Sequence, residues 1–489
     1  MKKSITQFFE VGIKKIEKSE DKFIKNPSDI ASFALSVKNE ILELGLSIIA
    51  EMLEEIDLAI KDNLVRKKYW DVVKTDNKTL VTCIGAVKFN KTLYKNKRTG
   101  ERKYLLDKVL ELRPHQRITE DAIAQLLEET VQTSYRKGGE SVSLLDNVSK
   151  QAVKSLLHNL NFPREETPAE KRQVKYLYID ADEDHVALQY LVKKGDTKTL
   201  ARKSNGTIAK LVYIYEGVEP VAPQSKRHRL INPHYFSGCY EGKSNGQLWD
   251  EVYEYIDNNY DIDSIERIFL NGDGGGWIKA GKSRIKGITY VLDEFHMSKY
   301  LTKMTGHLYD SADDAKTEIY DIIKNGSKQD FIKEIEKLCS YARDDSEAAK
   351  ISEAGNYFLN NWSAARVRIT QRNKIFGCSA EGHVSHVLSF RMSSRPMGWS
   401  KRGCDQMAKL RAYYWNKRGM LELARYQKEA LPKAAGAEEK EFSVGDVMAN
   451  VKRDYTREGA YYDSLQVHLS TQMDKHVKYG IYDYIYRLK

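Results

Sequence analysis

Residues 267–296, RIFLNGDGGGWIKAGKSRIKGITYVLDEFH, constrain the fold more than any other stretch of the chain. Residues 276–283, GWIKAGKS, match the GxxxxGK[ST] phosphate-binding motif, whose amides bind phosphate only where a helix begins at the Lys-Ser pair. The next strand pattern, GITYVLD, begins at Gly287, with only three residues between it and Ser283. No such helix fits there, and this argues against a phosphate-binding loop. The alternative is that Asp273 is a functional carboxylate at a strand end, followed by glycines that let a bulky substrate approach.

The order of strand and helix patterns around this stretch predicts an α/β fold. Three consecutive strand patterns, one helix pattern and two further strand patterns occupy residues 174–180, 185–192, 207–219, 247–260, 265–273 and 287–293. Three hairpin-linked strands followed by helix–strand units are typical of a ribonuclease H-like fold. Residues 170–430 are therefore predicted to form such a domain, with a helical insertion at about 308–366.

Two carboxylates at predicted strand ends indicate a metal site. Asp182 lies in YLYIDADEDHVALQ and Asp273 in FLNGDGGGW. The first and fourth strands of a ribonuclease H-like sheet are neighbours, so these side chains are expected to converge. Paired carboxylates bind Mg²⁺ or Mn²⁺, and such ions support phosphoryl transfer. Glu381, near the start of a later helix, is the best third ligand, and Asp180 remains an alternative to Asp182 because it shares a strand face with it.

The chain preceding this domain is basic and is predicted to bind DNA. The net charge is +10, and residues 61–117 hold sixteen Lys and Arg against six Asp and Glu. Residues 1–60 have a helical pattern. Within the predicted DNA-binding region, 61–165, KNKRTGER suggests a hairpin turn, and residues 119–160 suggest a helix-turn-helix with RKGGES as its turn. Its second helix begins after Ser149 and offers Lys150, Gln151 and Lys154 to a DNA groove.

A second set of basic residues follows Glu381. Arg391, Arg395, Lys401 and Arg402 are predicted to contact DNA phosphates, which position a duplex without specifying its sequence. Residues 431–489 are predicted to form a linker and a C-terminal tail.

Cysteine spacing and hydropathy limit the other function classes. The five cysteines form no C-x-x-C pair, so a zinc site is not expected, and an odd count without a secretory signal fits a reduced cytosol. The most apolar stretch, 31–60, contains seven charged residues and is expected to be an amphipathic helix, not a membrane span. A cytoplasmic, nucleoid-associated bacterial protein is therefore expected.

These motifs together resemble one known family. YIDADEDHVALQ, RIFLNGDGGGWIK, YVLDEFHMSKYL, CSAEGHVSHVLSFRMSSRPMGWSKRG and SYRKGGESVS are similar to segments of bacterial insertion-sequence transposases of the ISLre-two family. That resemblance covers nearly the whole chain. It implies an enzyme of the DDE class, related to Mutator-like transposases, with Asp182, Asp273 and Glu381 as its metal triad.

The predicted function is Mg²⁺-dependent cleavage of DNA at element ends and transfer of the freed strand to target DNA. The expected partners are double-stranded DNA and further copies of the chain, as a homodimer or higher oligomer. Two other classes remain open. One is a DNA-binding regulator without catalytic activity, and the other is an NTPase that uses residues 276–283.

Overall fold

Two compact units make up the structure, a computed structural model that describes residues 2–165, 167–189 and 205–429. The first unit contains Met1–Leu126 and Glu140–Val148, and the second contains Leu127–Gly139 and Ser149–Leu431. The chain is mixed α/β, as predicted. The division between the units differs from the predicted boundary near residue 165, and the predicted tail at 431–489 lies outside the described residues.

The first unit begins with helices, as its sequence pattern predicts. They are α1 (Lys3–Gln7), α2 (Ile13–Lys25), α3 (Ile30–Asp62) and α4 (Leu64–Tyr69), with a π-helical turn at Phe8–Gly12. The Asp29 side chain accepts a hydrogen bond from Ser32 N and so caps α3. Ile56 and Ile60 on the last turns of α3 are buried in the core of this unit.

A three-stranded antiparallel sheet follows, in the order β1 (Trp70–Val81), β2 (Ala86–Asn96), β3 (Arg102–Tyr104). The predicted hairpin turn joins β2 to β3, where Gly100 has a φ of +74°. The longer hairpin is the β1–β2 pair, whose turn at residues 82–85 was not predicted. Most side chains of β1 are polar and exposed, and this strand is therefore hard to recognise from the sequence.

Four helices connect this sheet to the strands of the second unit: α5 (Leu105–Val109), α6 (Glu120–Gln132), α7 (Tyr135–Glu140) and α8 (Lys150–His158). The prediction that RKGGES is a turn is wrong, because most of it forms α7. Ser134 Oγ accepts a hydrogen bond from Lys137 N at 3.2 Å and stabilises the first turn. Gly138 and Gly139, which suggested a turn, are buried inside this helix. Ser149 caps α8 as predicted.

The second unit contains a mixed five-stranded sheet. The strands of this unit are β4 (Tyr176–Ala187), β5 (Gly206–Tyr215), β6 (Gly217–Pro220), β7 (His228–Ile231), β8 (His234–Gly238), β9 (Arg267–Gly272) and β10 (Ile288–Leu292). The sheet order is β10-β9-β4-β5-β8, while β6 and β7 form a separate hairpin. The pairs β4–β5 and β5–β8 are antiparallel, and β4–β9 and β9–β10 are parallel.

The strand predicted at residues 185–192 is not a separate strand within the described residues. The first residues of HVALQYLV, His185–Ala187, continue β4, and residues 190–192 lie outside the described residues. The third strand of the antiparallel part is β8, which the sequence analysis missed. Its five residues, HYFSG, are too short to give a clear alternation of apolar and polar side chains.

Helices cover the second unit's sheet. They are α9 (Asn245–Asn259), α10 (Gly276–Lys279), α11 (Gly281–Arg284), α12 (Glu294–Thr305), α13 (Ala312–Asn325), α14 (Lys328–Ser340), α15 (Asp345–Asn360), α16 (Trp362–Thr370), α17 (Ala380–Val384), α18 (Phe390–Met392), α19 (Lys401–Trp415) and α20 (Met420–Glu429). Helices α13 to α16 occupy the predicted helical insertion, and their apolar faces share one core with β4, β9 and β10. None of the helices in the described ranges is long and apolar enough to cross a membrane.

Candidate active site

Strand register brings three carboxylates to one edge of the five-stranded sheet. Asp180 of β4 pairs with Asn271 of β9, so Asp182 and Asp273 lie two residues beyond a matched pair. Leu292 of β10 pairs with Gly272. Asp293, which follows Leu292, therefore lies at the same level as Asp273. The convergence of Asp182 and Asp273, predicted from adjacent strands, is consistent with this register.

The environment of the Asp182 carboxylate disfavours its ionised form. Its Oδ1 accepts a hydrogen bond from Glu183 N at 2.8 Å. Burial, and then the negative charge of Asp273, raise the pKa of Asp182 to about 6. The two carboxylates repel each other, so a cation between them would lower the energy of the site.

Asp273 begins a tight loop that requires glycine. Its Oδ1 accepts a hydrogen bond from Gly275 N at 2.8 Å, and its backbone oxygen accepts one from Tyr357 Oη of α15 at 2.7 Å. Gly274 has a φ of +101°, and a Cβ there would lie 2.9 Å from Asn361 Nδ2. The helical insertion thus fixes the Asp273 loop from one side.

Asp293 and His296 form a third element of the site. Asp293 caps α12, and its Oδ2 lies 2.8 Å from His296 Nδ1. The hydrogen bond to Asp293 raises the pKa of His296, and the charges of Asp273 and Asp182 add to this effect. From the sequence, both residues are expected at the end of the fifth predicted strand, near the site but outside the metal shell. The sequence did contain a signal that Asp293 belongs to the site, because Asp293 follows an apolar strand as Asp273 does.

Asp180, the alternative to Asp182, is fully enclosed. Both of its oxygens accept hydrogen bonds, from Tyr213 Oη (2.8 Å), Tyr215 Oη (3.2 Å), Asn271 Nδ2 (2.6 Å) and Ser379 N (3.3 Å). Arg368 Nη2 donates to Asn271 Oδ1 at 2.8 Å and extends this buried network. Asp180 therefore joins β4, β5, β9 and the segment before α17, whereas Asp182 keeps oxygen atoms available to a ligand.

Glu381 lies on α17, which packs against β4 on the face that carries Asp180 and Asp182. His383 anchors this helix, with its ring stacked on Tyr213 at 4.5 Å and its Nδ1 3.1 Å from Tyr235 Oη. Burial lowers the pKa of His383 to about 4, so the ring is neutral. The Glu381 side chain itself is exposed.

The donor atoms at this edge fit a hard divalent cation. Asp182 and Asp273 supply carboxylate oxygens, and the buried Asn361 Oδ1 has no hydrogen-bond partner. Mg²⁺ and Mn²⁺ prefer such oxygen ligands. Within residues 2–165, 167–189 and 205–429, no three His, Cys, Asp or Glu side chains are close enough together to hold a metal ion. In this structure the exposed Glu381 therefore does not form a three-carboxylate cluster with Asp182 and Asp273.

The raised pKa of Asp182 predicts a pH-dependent stability difference. Because the folded protein binds this proton more tightly than the unfolded chain does, ionisation of Asp182 lowers the free energy of unfolding as the pH rises from about 4 to 6. With EDTA present, Asp182→Asn should match the wild type at pH 4. At pH 7 it should be more stable by on the order of 2 kcal/mol. Urea unfolding at both pH values measures this, and equal stabilities at pH 7 would contradict it.

Helices α8 and α19, which carry residues predicted to contact DNA, pack against each other. Lys150, Gln151 and Lys154 are exposed on α8, and Lys401 and Arg402 are exposed on α19. Arg402 Nη2 donates to Asn159 Oδ1 at 2.8 Å, just after α8. Two basic sets that the sequence analysis assigned to separate domains therefore form one surface, here called the α8–α19 surface.

Arg391 and Arg395 differ in their environment. Arg395 is exposed, but Arg391 is 6% exposed. Arg391 Nε donates to Thr130 O at 3.1 Å, and its guanidinium lies 4.9 Å from the Trp399 ring centre. Burial lowers the pKa of Arg391 to about 10. In this conformation Arg391 packs two helical segments together and does not face a ligand.

The phosphate-loop motif folds into two single-turn helices, α10 and α11, which the sequence analysis had not expected. Ser283 Oγ donates to Ala280 O at 2.8 Å, and the Lys282 side chain is exposed. A Cβ at Gly281 would lie 3.0 Å from the Trp249 ring. This glycine therefore serves close packing, and Trp277 Nε1 ties the loop to Glu183 at 2.6 Å.

Comparison with known proteins identifies relatives of this chain. The model of the family described as Uncharacterised protein family (UPF0236) matches residues 24–429. A UPF0236 protein of Caldanaerobacter subterraneus subsp. tengcongensis, whose name carries eleven locus designations, is 35% identical over 394 residues, which cover 80% of this chain and 79% of that protein. UPF0236 protein TTE2489 of the same organism is 35% identical over 389 residues, or 79% of each chain.

Proposed function

This chain belongs to the UPF0236 family, and we propose that it is a transposase that cuts and joins DNA by metal-dependent phosphoryl transfer. The observation that carries the proposal is the register of the parallel strands. Asp182, within β4, and Asp273, just after β9, each lie two residues beyond the paired Asp180 and Asn271. Burial and the charge of Asp273 disfavour an ionised Asp182, and this supports a divalent cation as the partner of the pair.

The sheet order supports a ribonuclease H-like catalytic domain of the DDE class. Three antiparallel strands followed by two parallel ones, in the order β10-β9-β4-β5-β8, are what that fold requires. Helices α13 to α16 lie between β10 and α17, where the resemblance to ISLre-two and Mutator-like transposases places an insertion. Tyr357, on α15, contacts Asp273 directly and gives this insertion a part in shaping the site.

The proposed roles follow from position. Asp182, Asp273 and Glu381 would hold Mg²⁺ or Mn²⁺. When bound, such ions activate a water and stabilise the charge that develops on the phosphate. Asp293 orients His296 and raises its pKa, which favours protonation beside the two aspartates; the protonated ring would attract the DNA phosphate. The freed 3′-hydroxyl would then attack target DNA at the same site.

Gene repetition among relatives supports a mobile element. The first relative's name carries eleven locus designations, and that of another carries four. Repeated genes for one protein in a single genome are what an element that moves by transposition leaves behind. We propose that this chain acts as a homodimer or higher oligomer on DNA, in the nucleoid of a bacterial cytoplasm.

The α8–α19 surface is the proposed contact with element ends. Lys150→Ala combined with Lys154→Ala should weaken binding to end DNA about tenfold, and should reduce the slope of affinity against salt by about 2, since each lysine displaces a counterion. Fluorescence anisotropy between 50 and 300 mM salt measures both quantities. Lys350→Ala, an exposed lysine on α15, is the control. Unchanged affinity in the double variant would remove α8 from the DNA-binding surface.

One assay tests the proposal as a whole. Duplexes made from the DNA that flanks the gene are incubated with the full chain and Mg²⁺, with EDTA, and with a random duplex as the control. We expect nicks at fixed positions of the flanking DNA only in Mg²⁺. Specific binding with no cleavage in Mg²⁺ or Mn²⁺ would favour a non-catalytic DNA-binding regulator. Cleavage that requires ATP would favour the NTPase alternative.

A further inference from the structure

A pair of cysteines in the second unit lies in sulfur–sulfur contact. Cys239 follows β8 and Cys404 lies in the first turn of α19, with 3.1 Å between the two Sγ atoms. The residues are 165 positions apart in the chain. Both thiols are free in this structure.

The backbones around this pair are held together independently of the sulfurs. Cys239 N donates to Asp405 Oδ1 at 2.9 Å, and Asp405 Oδ2 accepts from Lys409 Nζ at 2.8 Å. At Gly238, a Cβ would lie 2.7 Å from the Tyr240 ring and 3.0 Å from Asp405 Oδ1, so β8 and α19 approach as closely as glycine allows. A bond of about 2.05 Å between the sulfurs therefore needs only a small shift of side chains.

We propose that Cys239 and Cys404 are an oxidation site, which forms an intramolecular disulfide between β8 and α19 when the protein meets a peroxide. This inference does not depend on the proposed function.

The reaction is a two-step oxidation of the pair. Cys239, which is partly exposed, attacks one peroxide oxygen, the O–O bond breaks, and water leaves behind a sulfenic acid on Cys239. The Cys404 sulfur then attacks that sulfur, the S–O bond breaks, and the hydroxyl leaves with the Cys404 proton as a second water. Two thiols are oxidised to a disulfide, and one peroxide is reduced to two waters.

The order of these steps follows from the environments of the sulfurs. Cys404 is fully buried, and contact with Cys239 followed by burial raises its pKa. Cys404 is therefore a thiol that an external oxidant does not reach first, and it serves as the resolving group. The other cysteines have different neighbours. Cys339 Sγ donates to Ala348 O, Cys83 lies beside Asp121, and Cys378, which is partly exposed, lies near Asp180 and Asp293.

The test treats the full chain with hydrogen peroxide under native conditions, alkylates the remaining thiols and maps the peptides by mass spectrometry. We expect a 239–404 linkage, three thiols still alkylated, and a melting temperature raised by about 5 °C that dithiothreitol reverses. Cys339→Ser should behave like the wild type. Cys239→Ser, at the more exposed position, should lose both the linkage and the thermal shift.

Three outcomes would overturn the proposal: five thiols still alkylated, Cys239 converted to sulfinic acid, or linkage to a cysteine other than Cys404. If Cys404→Ser is poorly folded because the site is buried, Cys239→Ser and the peptide map decide the result alone.

Discussion

Replacing Asp182 or Asp273 by Asn is expected to reduce DNA strand cleavage by at least about 1,000-fold, or about 4 kcal/mol in the activation free energy. Each change removes a charged metal ligand at nearly constant volume, at the edge where β4 and β9 place the two carboxylates together. Glu381→Gln should have a similar effect on cleavage. Affinity for end DNA should stay within about twofold of wild type, since the α8–α19 surface is untouched. Single-turnover cleavage and anisotropy measure the two quantities.

Asp180→Asn is the matched control, because it lies on the same strand face two residues away. Its amide nitrogen would face groups that now donate to the carboxylate, including Asn271 Nδ2 and Tyr213 Oη. The free energy of unfolding should therefore fall, by about 2 to 4 kcal/mol, while Asp182→Asn raises it at pH 7. A stable Asp180→Asn variant that cannot cleave, beside a fully active Asp182→Asn, would move the metal ligand to Asp180.

Gly274→Ala is expected to reduce cleavage on the order of 100-fold, because it displaces the Asp273 loop. A methyl group at Gly274 would meet Asn361 at 2.9 Å, and the φ of +101° disfavours any side chain. Gly276→Ala is the control for this loop, since a Cβ there has no neighbour within 4 Å and should leave folding unchanged.

The same assay separates the carboxylate site from a phosphate-binding loop. Lys282→Ala and Ser283→Ala should each retain cleavage within about threefold of wild type, because both residues are exposed and Ser283 Oγ bonds within its own turn, to Ala280 O. A working phosphate loop would need Lys282 on the β- and γ-phosphates and Ser283 on the metal. Loss of activity in these two variants, with Gly274→Ala unaffected, would contradict the carboxylate site and would instead assign residues 276–283 as a phosphate-binding loop.

Local patterns predicted β9 and β10, because each is a short apolar run followed by an aspartate. They failed where tertiary contacts override local preference. β4 continues through Asp182 and Asp184 because its polar side chains have partners on one face, such as Ser393 Oγ on Asp184. The glycines of RKGGES fit inside α7 because they are buried there, and a turn signal could not reveal that.

The site itself was predictable only in part. The predicted strand ends pointed to Asp182 and Asp273, although the structure places Asp182 inside β4, and the raised pKa of His296 depends on a contact with Asp293 that the fold creates. The series of basic residues after Glu381 also did not reveal that the Arg391 side chain turns inward and donates to Thr130 O. Side-chain direction depends on packing between segments far apart in sequence, and charge pattern alone does not contain it.

The central claim is that Asp182 and Asp273 hold a metal ion on the DNA phosphate that is cut. The most direct test replaces one non-bridging oxygen of that phosphate with sulfur in an end duplex and follows cleavage by the wild-type chain. We predict cleavage slowed at least about tenfold in Mg²⁺ for one of the two sulfur isomers and restored in Mn²⁺, which accepts softer ligands. Equal rates for both isomers and for the oxygen duplex in Mg²⁺ would contradict direct metal contact with the phosphate, and with it the proposed active site.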